Sequence, residues 1–483
     1  MHNRLKLRPI APAPGFLMPA LLLFFVAVTI TAEARAQATP SRQPANPSQS
    51  RPADLPAASG NGAKAESDAA MPQDDRDGMK MGVSHEGMAM PAGDEMKMSF
   101  GPLPDSRDAS GTAWQPDATP MHAHHSMLGD WALMTHYNAF LAYDNQSGRR
   151  GDEQLNSINW LMLMASRRKD ANDLMLRAMF SLEPWTTTAK GYPLLFQSGE
   201  AFRGRALVDR QHPHDLFMEV AARYRRLLPD DSVFSLYVAP AGEPALGPPA
   251  FPHRMSAMDN PAAPISHHWL DSTHISFGVL TAGVARKTWQ IEGSYFNGRE
   301  PDEDRLGIDL SPLDSYSGRF TWNPNESLSA QISHGYLKTP EELHPEEHLR
   351  RTSASVIHLM KLSGKTHIAT TVAWGRNDHG HGATDAFLIE PSYMAEKFSI
   401  FGRAEYVEKR GEELNLLPDD RKIPVKQVTL GATHELVHGK PWQLALGGSV
   451  TYSFMPRDLD AVYGRRPIGF WLFLRLRPGA MKH

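Results

Sequence analysis

The sequence predicts an all-β chain: an antiparallel up-and-down transmembrane β-barrel of about 16 strands behind an export signal and a disordered leader. Three observations predict it. Beyond Asp130 the hydrophobic period is 2 and not 3.6, in runs of about ten residues. Short turns alternate with longer loops between those runs. The N-terminus carries the three parts of a secretory signal.

The signal comes first. Arg4, Lys6 and Arg8 precede an apolar run at residues 20–30, and Ala34-Arg35-Ala36 forms a small-residue cleavage site. Pro19 and the shortness of the run argue against a retained anchor helix, which needs about 20 apolar residues. Residues 1–36 are therefore read as a signal peptide. Losing their four basic residues and one acidic residue leaves 46 basic and 53 acidic side chains, and changes the formal charge from −4 to −7. Neither value suits a basic nucleic-acid binder. A chain without Cys has no disulfide framework, thiolate metal site or Cys nucleophile. A mean hydropathy of −0.41 is too polar for a helical membrane bundle.

Residues 37–129 are rich in Ala, Pro, Ser, Asp and Gly and read as a disordered, periplasmic leader. Its methionines are not generic. Met71, Met79, Met81, Met88, Met90, Met96 and Met98 surround His85, and Met121, His122, His124, His125 and Met127 follow. Thioethers are soft ligands that favour Cu(I), and clustered imidazoles favour Cu(II), Zn or Ni, so copper ions are the expected ligand.

The barrel is expected over 130–483. Candidate strands fall at 131–143, 155–167, 173–185, 216–226, 232–240, 273–284, 289–297, 314–323, 327–337, 350–362, 366–376, 384–395, 398–409, 425–436, 441–455 and 467–477. Seven short turns of Asp, Asn, Gly, Pro and Lys alternate with eight mostly longer loops, the pattern of a barrel with turns at the periplasmic end. An even strand count puts both termini on that side. Trp322, Trp374, Trp442, Tyr295, Tyr316, Tyr406 and Tyr452 lie towards strand ends on the apolar face, as an interfacial girdle would. The last strand resembles the closing strand of bacterial outer-membrane proteins, although six residues follow Arg477 and the chain ends in His483. Outer-membrane lipid and the barrel assembly machinery are the partners this implies.

The other face carries Arg177, Glu183, Glu219, Arg223, Glu292, Arg319, Arg403, Glu405 and Glu435, mixed charges that belong in a lumen and not towards lipid. Loops 186–215 and 241–272 are long enough to constrict it. They carry His212, His214 and Asp215, two imidazoles one residue apart beside a carboxylate, which are candidate metal ligands. His253, Met255, Met258, His267, His268 and His274 occupy the second loop. The string His344-Pro345-Glu346-Glu347-His348 matches a zinc-peptidase pattern, but a proline-bearing loop between strands cannot place both imidazoles on one helical face. No enzyme activity is expected.

Signal, Met/His-rich leader and barrel together resemble, in organisation, the outer-membrane copper-resistance B proteins. That resemblance implies copper binding or tolerance at the outer membrane, and carries over as ligands only Met and His positions within 71–127. Two functions follow: a barrel whose leader captures copper ions that the barrel anchors or passes, or a general porin-like channel for small solutes with no metal role.

Overall fold

The computed structural model describes residues 99–270, 275–418, 420–439 and 441–479. Sixteen long antiparallel strands close into a barrel. They are β1 (Trp131–Gln146), β2 (Glu153–Lys169), β3 (Asn172–Phe180), β4 (Phe217–Leu227), β5 (Val233–Gly242), β6 (Ser276–Arg286), β7 (Trp289–Phe296) and β8 (Ser315–Asn325). There follow β9 (Leu328–Lys338), β10 (His348–Lys361), β11 (His367–Asp378), β12 (Ala383–Met394), β13 (Phe398–Arg410), β14 (Lys422–His438), β15 (Gln443–Phe454) and β16 (Ile468–Arg477). Each expected strand is present, most within three residues of its expected ends. The main departure is β3, which stops at Phe180 because Pro184 cannot donate to a ladder; Glu183–Thr186 instead forms one helical turn.

The seam is closed by β16 against β1, from Ala139 opposite Leu476 to Gln146 opposite Gly469. β1 is longer than β16, so its first residues would expose unpaired backbone. A five-residue strand, His124–Leu128, covers them, pairing Leu128 with Trp131 and His124 with Thr135. Outward positions are apolar along the strands, among them Leu280, Ile291, Phe320, Val372, Ile389, Leu430 and Leu472, all exposed. Tyr295, Tyr316, Trp322, Trp442 and Tyr452 are exposed near strand ends, as expected of an aromatic girdle.

Inward positions are polar, and the nine lumen charges expected from the sequence are all buried. In an empty cylinder they would be solvated; here the lumen is filled. A strap of residues 99–123 enters at the turn end, with loop L2 (181–216) and loop L3 (243–270) folded in from the other. Residues 99–129 therefore depart from the disordered leader expected over 37–129. Phe100, Leu103 and Trp114 pack on Val233 and Ala285 in one apolar cluster. Arg107 Nη1 donates to Lys287 O at 2.7 Å, Asn323 Nδ2 to Gln115 O at 2.9 Å and Arg319 Nη2 to Thr112 Oγ1 at 2.9 Å. Tyr192, Leu195 and Phe196 of L2 and Ile265 and Trp269 of L3 share a second cluster with Phe140, Trp471 and Phe473 of the wall.

Candidate functional site

The lumen is where these residues can act, and ionic contacts to L3 set its geometry. Ser266 of L3 donates to Glu405 through its Oγ at 2.6 Å and its backbone N at 3.1 Å. Glu390 receives Arg403 at 2.7 Å and Arg254 at 3.3 Å. Asp259 lies 3.2 Å from Arg477 and also contacts Arg475, and both arginines reach Glu435. Arg319 pairs with Glu292 at 2.8 Å, and Arg177 with Glu219 at 3.2 Å while donating to Gly111 O of the strap at 3.0 Å. Charges that a hollow pore would offer to solute are thus spent on holding L3 and the strap across the bore.

Where L2 meets L3, three buried imidazoles converge. One ring nitrogen from each of His212, His267 and His268 lies within 4.8 Å of the other two. Nδ1 of His267 donates to Pro264 O at 2.5 Å, which leaves Nε2 as the lone-pair atom of that ring when neutral, whereas His212 donates Nδ1 to Pro213 O at 3.0 Å and turns to Glu200 an Nε2 whose proton a bound cation would displace. Glu200 stands 2.9 Å from His212 Nε2, and Glu300 is 3.5 Å from His268. Burial would raise the carboxyl of Glu200, but Arg305 and His212 outweigh it and hold it below the usual range. Gly199 makes the approach possible: its φ is +113°, and a Cβ there would stand 3.1 Å from the His268 ring. Three imidazoles with adjacent carboxylates suit a borderline divalent cation.

Of the expected His212, His214 and Asp215 set, only His212 belongs to this cluster. His214 is held by Glu183, which takes its Nδ1 and its backbone N at 2.9 Å each. Asp215 faces Arg305 at 3.5 Å, and burial pushes its carboxyl up to about 7 despite that arginine. His267 and His268 were visible only as loop histidines; the pairing of two loops distant in sequence brings them to His212.

The leader cluster is also divided. Met121, His122 and His125 line a chamber inside the barrel. His124 instead stacks near Tyr137, with centroids 6.1 Å apart, and Met127 is exposed on the short seam strand. Met79, Met81, His85, Met88, Met90, Met96 and Met98 lie outside the described residues, as do Met71 and His274. The string from His344 to His348 runs through turns into the start of β10, and Glu347 approaches His379 at 3.3 Å. Its two terminal imidazoles share no helical face.

No protein family matches the chain and no curated protein does, so the resemblance to copper-resistance B proteins stays one of organisation. Among solved structures, an anion-selective porin from Comamonas acidovorans is similar at 12% identity and a TM-score of 0.44, over 73% of this chain and 100% of that one. OmpF of Salmonella typhi, solved with daunomycin, is similar at 8% and 0.47, over 73% and 100%. OprB of Pseudomonas putida is similar at 9% and 0.45, over 72% and 94%. At these identities and scores the likeness says nothing about solute or mechanism.

Proposed function

We propose that this chain is an outer-membrane barrel of the channel type, held shut by its own strap and loops and opened to admit small solutes. The observation that carries it is the attachment of L3 across the bore, above all Asp259 between Arg475, Arg477 and Glu435. L3 also rests on the wall through Ile265 and Trp269, but the ion pairs that span the lumen can be exchanged for water and solute contacts at modest net cost. Planar-bilayer recordings test this. The wild-type barrel should show rare, small openings, and Asp259→Ala should raise open probability at least about tenfold by removing one tether of L3 and leaving Arg475 and Arg477 to share Glu435 alone. A barrel permanently open before mutation, or still closed after removal of residues 245–265, would sink the gated reading.

A second reading, in which the solute is a metal cation such as copper, is favoured by the His212, His267 and His268 cluster. It predicts that cell survival responds to copper and not to carbon source, and that His212→Ala together with His268→Ala abolishes this response. The Met-rich leader would then be a further capture segment on the periplasmic side.

A further inference from the structure

Methionine and histidine gather at one place in the lumen that neither reading uses. A chamber of about 100 Å³ lies where the strap meets β1, β2, β3 and L3. That is room for about three waters at a liquid share of about 30 Å³ each. Seven methionines and four histidines line it. The strap supplies Met121 and His122, the short seam strand His125, and β1 Met134 and His136. Met162 and Met164 come from β2 and Met175 from β3, while L3 adds His253, Met255 and Met258. Six separate segments thus converge with the same two side-chain types.

Met162 and Met164 also pack with Trp160 and Phe277, and Met255 and Met258 with Leu359 and Met394, so these methionines belong to the apolar core and line the chamber as well. Leu133 is the one branched aliphatic or phenyl side chain in it, although the rest of the lumen is packed with Leu, Ile and Phe. His125, His136 and His253 do not behave as satisfied core residues, unlike His122, whose Nδ1 lies 3.4 Å from Pro478 O. Nε2 of His125 is buried without a hydrogen-bond partner. His136 and His253 have no side-chain hydrogen bond among the described residues; they meet Trp160 and one another, with His136–His253 centroids 6.5 Å apart. The acids at the chamber's edge are engaged elsewhere: Asp105 with Arg168, and Asp108 with Arg223 at 2.7 Å. The other polar groups of the lining are Gln115, Thr119, Ser166 and the Arg168 guanidinium that Asp105 neutralises, so thioethers and imidazoles outnumber oxygen donors, which favours a soft ion of low charge over a hard cation.

We infer that this chamber binds a soft monovalent d10 cation of the Cu(I) and Ag(I) class, through thioethers of the strap, β1, β2 and L3 together with His136 and His253. The inference deepens the metal reading given above and adds the oxidation state and the place. It does not depend on whether the barrel conducts. Its ligands come from the strap and L3, the two segments that close the bore, so a bound cation would tie them to the wall.

The test uses the full chain folded in detergent and titrated with Ag(I), wild type against a Met162→Leu, Met164→Leu, Met255→Leu, Met258→Leu variant. Leu for Met conserves volume. The variant should lose about one tightly bound silver equivalent while the sites of the leader and the outer His cluster are kept. Equal uptake by both proteins overturns the inference. Should the variant fail to fold, judged by loss of heat-dependent gel migration, silver-soaked crystals of the wild-type chain decide instead. An anomalous peak between Met162, Met255 and His253 is expected, and silver confined to other places overturns the inference. Neither experiment reads conductance, so the gated-channel reading and the chamber can fail separately. Loss of Zn(II) or Cu(II) binding in His212→Ala reports on the outer cluster alone.

Discussion

Glu341, in the loop before β10, holds a proton at neutral pH: burial pushes it up to about 8, and repulsion from Glu413, Glu347 and Glu412 adds to the effect. Asp215, raised to about 7, behaves alike. Both acids are protonated in the folded loops at a pH where the unfolded chain has released the proton. Their contribution to stability is therefore complete below about pH 4 and is lost as pH rises through 7 to 8. Protease nicking of the loops and leak conductance should both rise between about pH 6 and pH 9, and Glu341→Gln should flatten the upper part of that rise. A pH-independent leak would refute the assignment. Steric limits act at the same scale. Gly375 of β11 faces the backbone of Trp269, and a Cβ there would stand 2.0 Å from its carbonyl oxygen. Gly375→Ala should unseat L3 at a cost of about 1–3 kcal/mol, read as a lower unfolding temperature with the barrel's circular dichroism unchanged.

The strap is the element that the sequence conceals most. Residues 99–123 have neither period 2 nor period 3.6, and their Asp, Ser, Gly and Pro content reads as an unstructured linker. Their order is borrowed from partners more than a hundred residues away: Asp108 pairs with Arg223, Arg107 reaches Lys287 O, and Trp114 O accepts from Ser329. Such contacts leave no local pattern. The strands differ because each shows its own burial by alternation, so their positions were legible to within a few residues and the inward charges were legible by name. The chamber was half legible. Met175 and Arg177 share the inward face of β3, and methionine on a face otherwise charged was a signal that could have been taken. Its meeting with L3 and the strap was not, because loop trajectories have no period. The strap's apolar anchor is testable. Trp114 is buried and stacks on Arg107, whose guanidinium carbon lies 4.4 Å from the ring centroid. Trp114→Ala should cost about 3–5 kcal/mol locally and free the strap from the turn end of the barrel. Protease cleavage within 99–123 of the folded, detergent-solubilised barrel should then appear where the wild type resists.

For the whole molecule, the question is which solvent surrounds the barrel. Exposure alone does not answer it, because Leu430 and Leu417 are both exposed, at 65% and 83%. Their surroundings differ. Leu430 sits at the middle of β14, opposite Gly402 and Val450 on its two neighbours and within the apolar outer face. Leu417 lies in the loop between β13 and β14, beyond the strands. If the outer face meets hydrocarbon, a charge at Leu430 must be carried at the depth of greatest cost, whereas one at Leu417 stays in water. Leu430→Arg should therefore destabilise the barrel in lipid vesicles by about 2–4 kcal/mol, and Leu417→Arg by less than about 0.5 kcal/mol. Guanidinium unfolding of the two variants, followed by tryptophan fluorescence and by heat-dependent gel migration, measures the difference. A soluble β-sandwich with water on its outer face would tolerate both substitutions alike. Equal midpoints for the two variants would therefore remove the membrane from the account, and with it the reason for an apolar face outside and a charged one within.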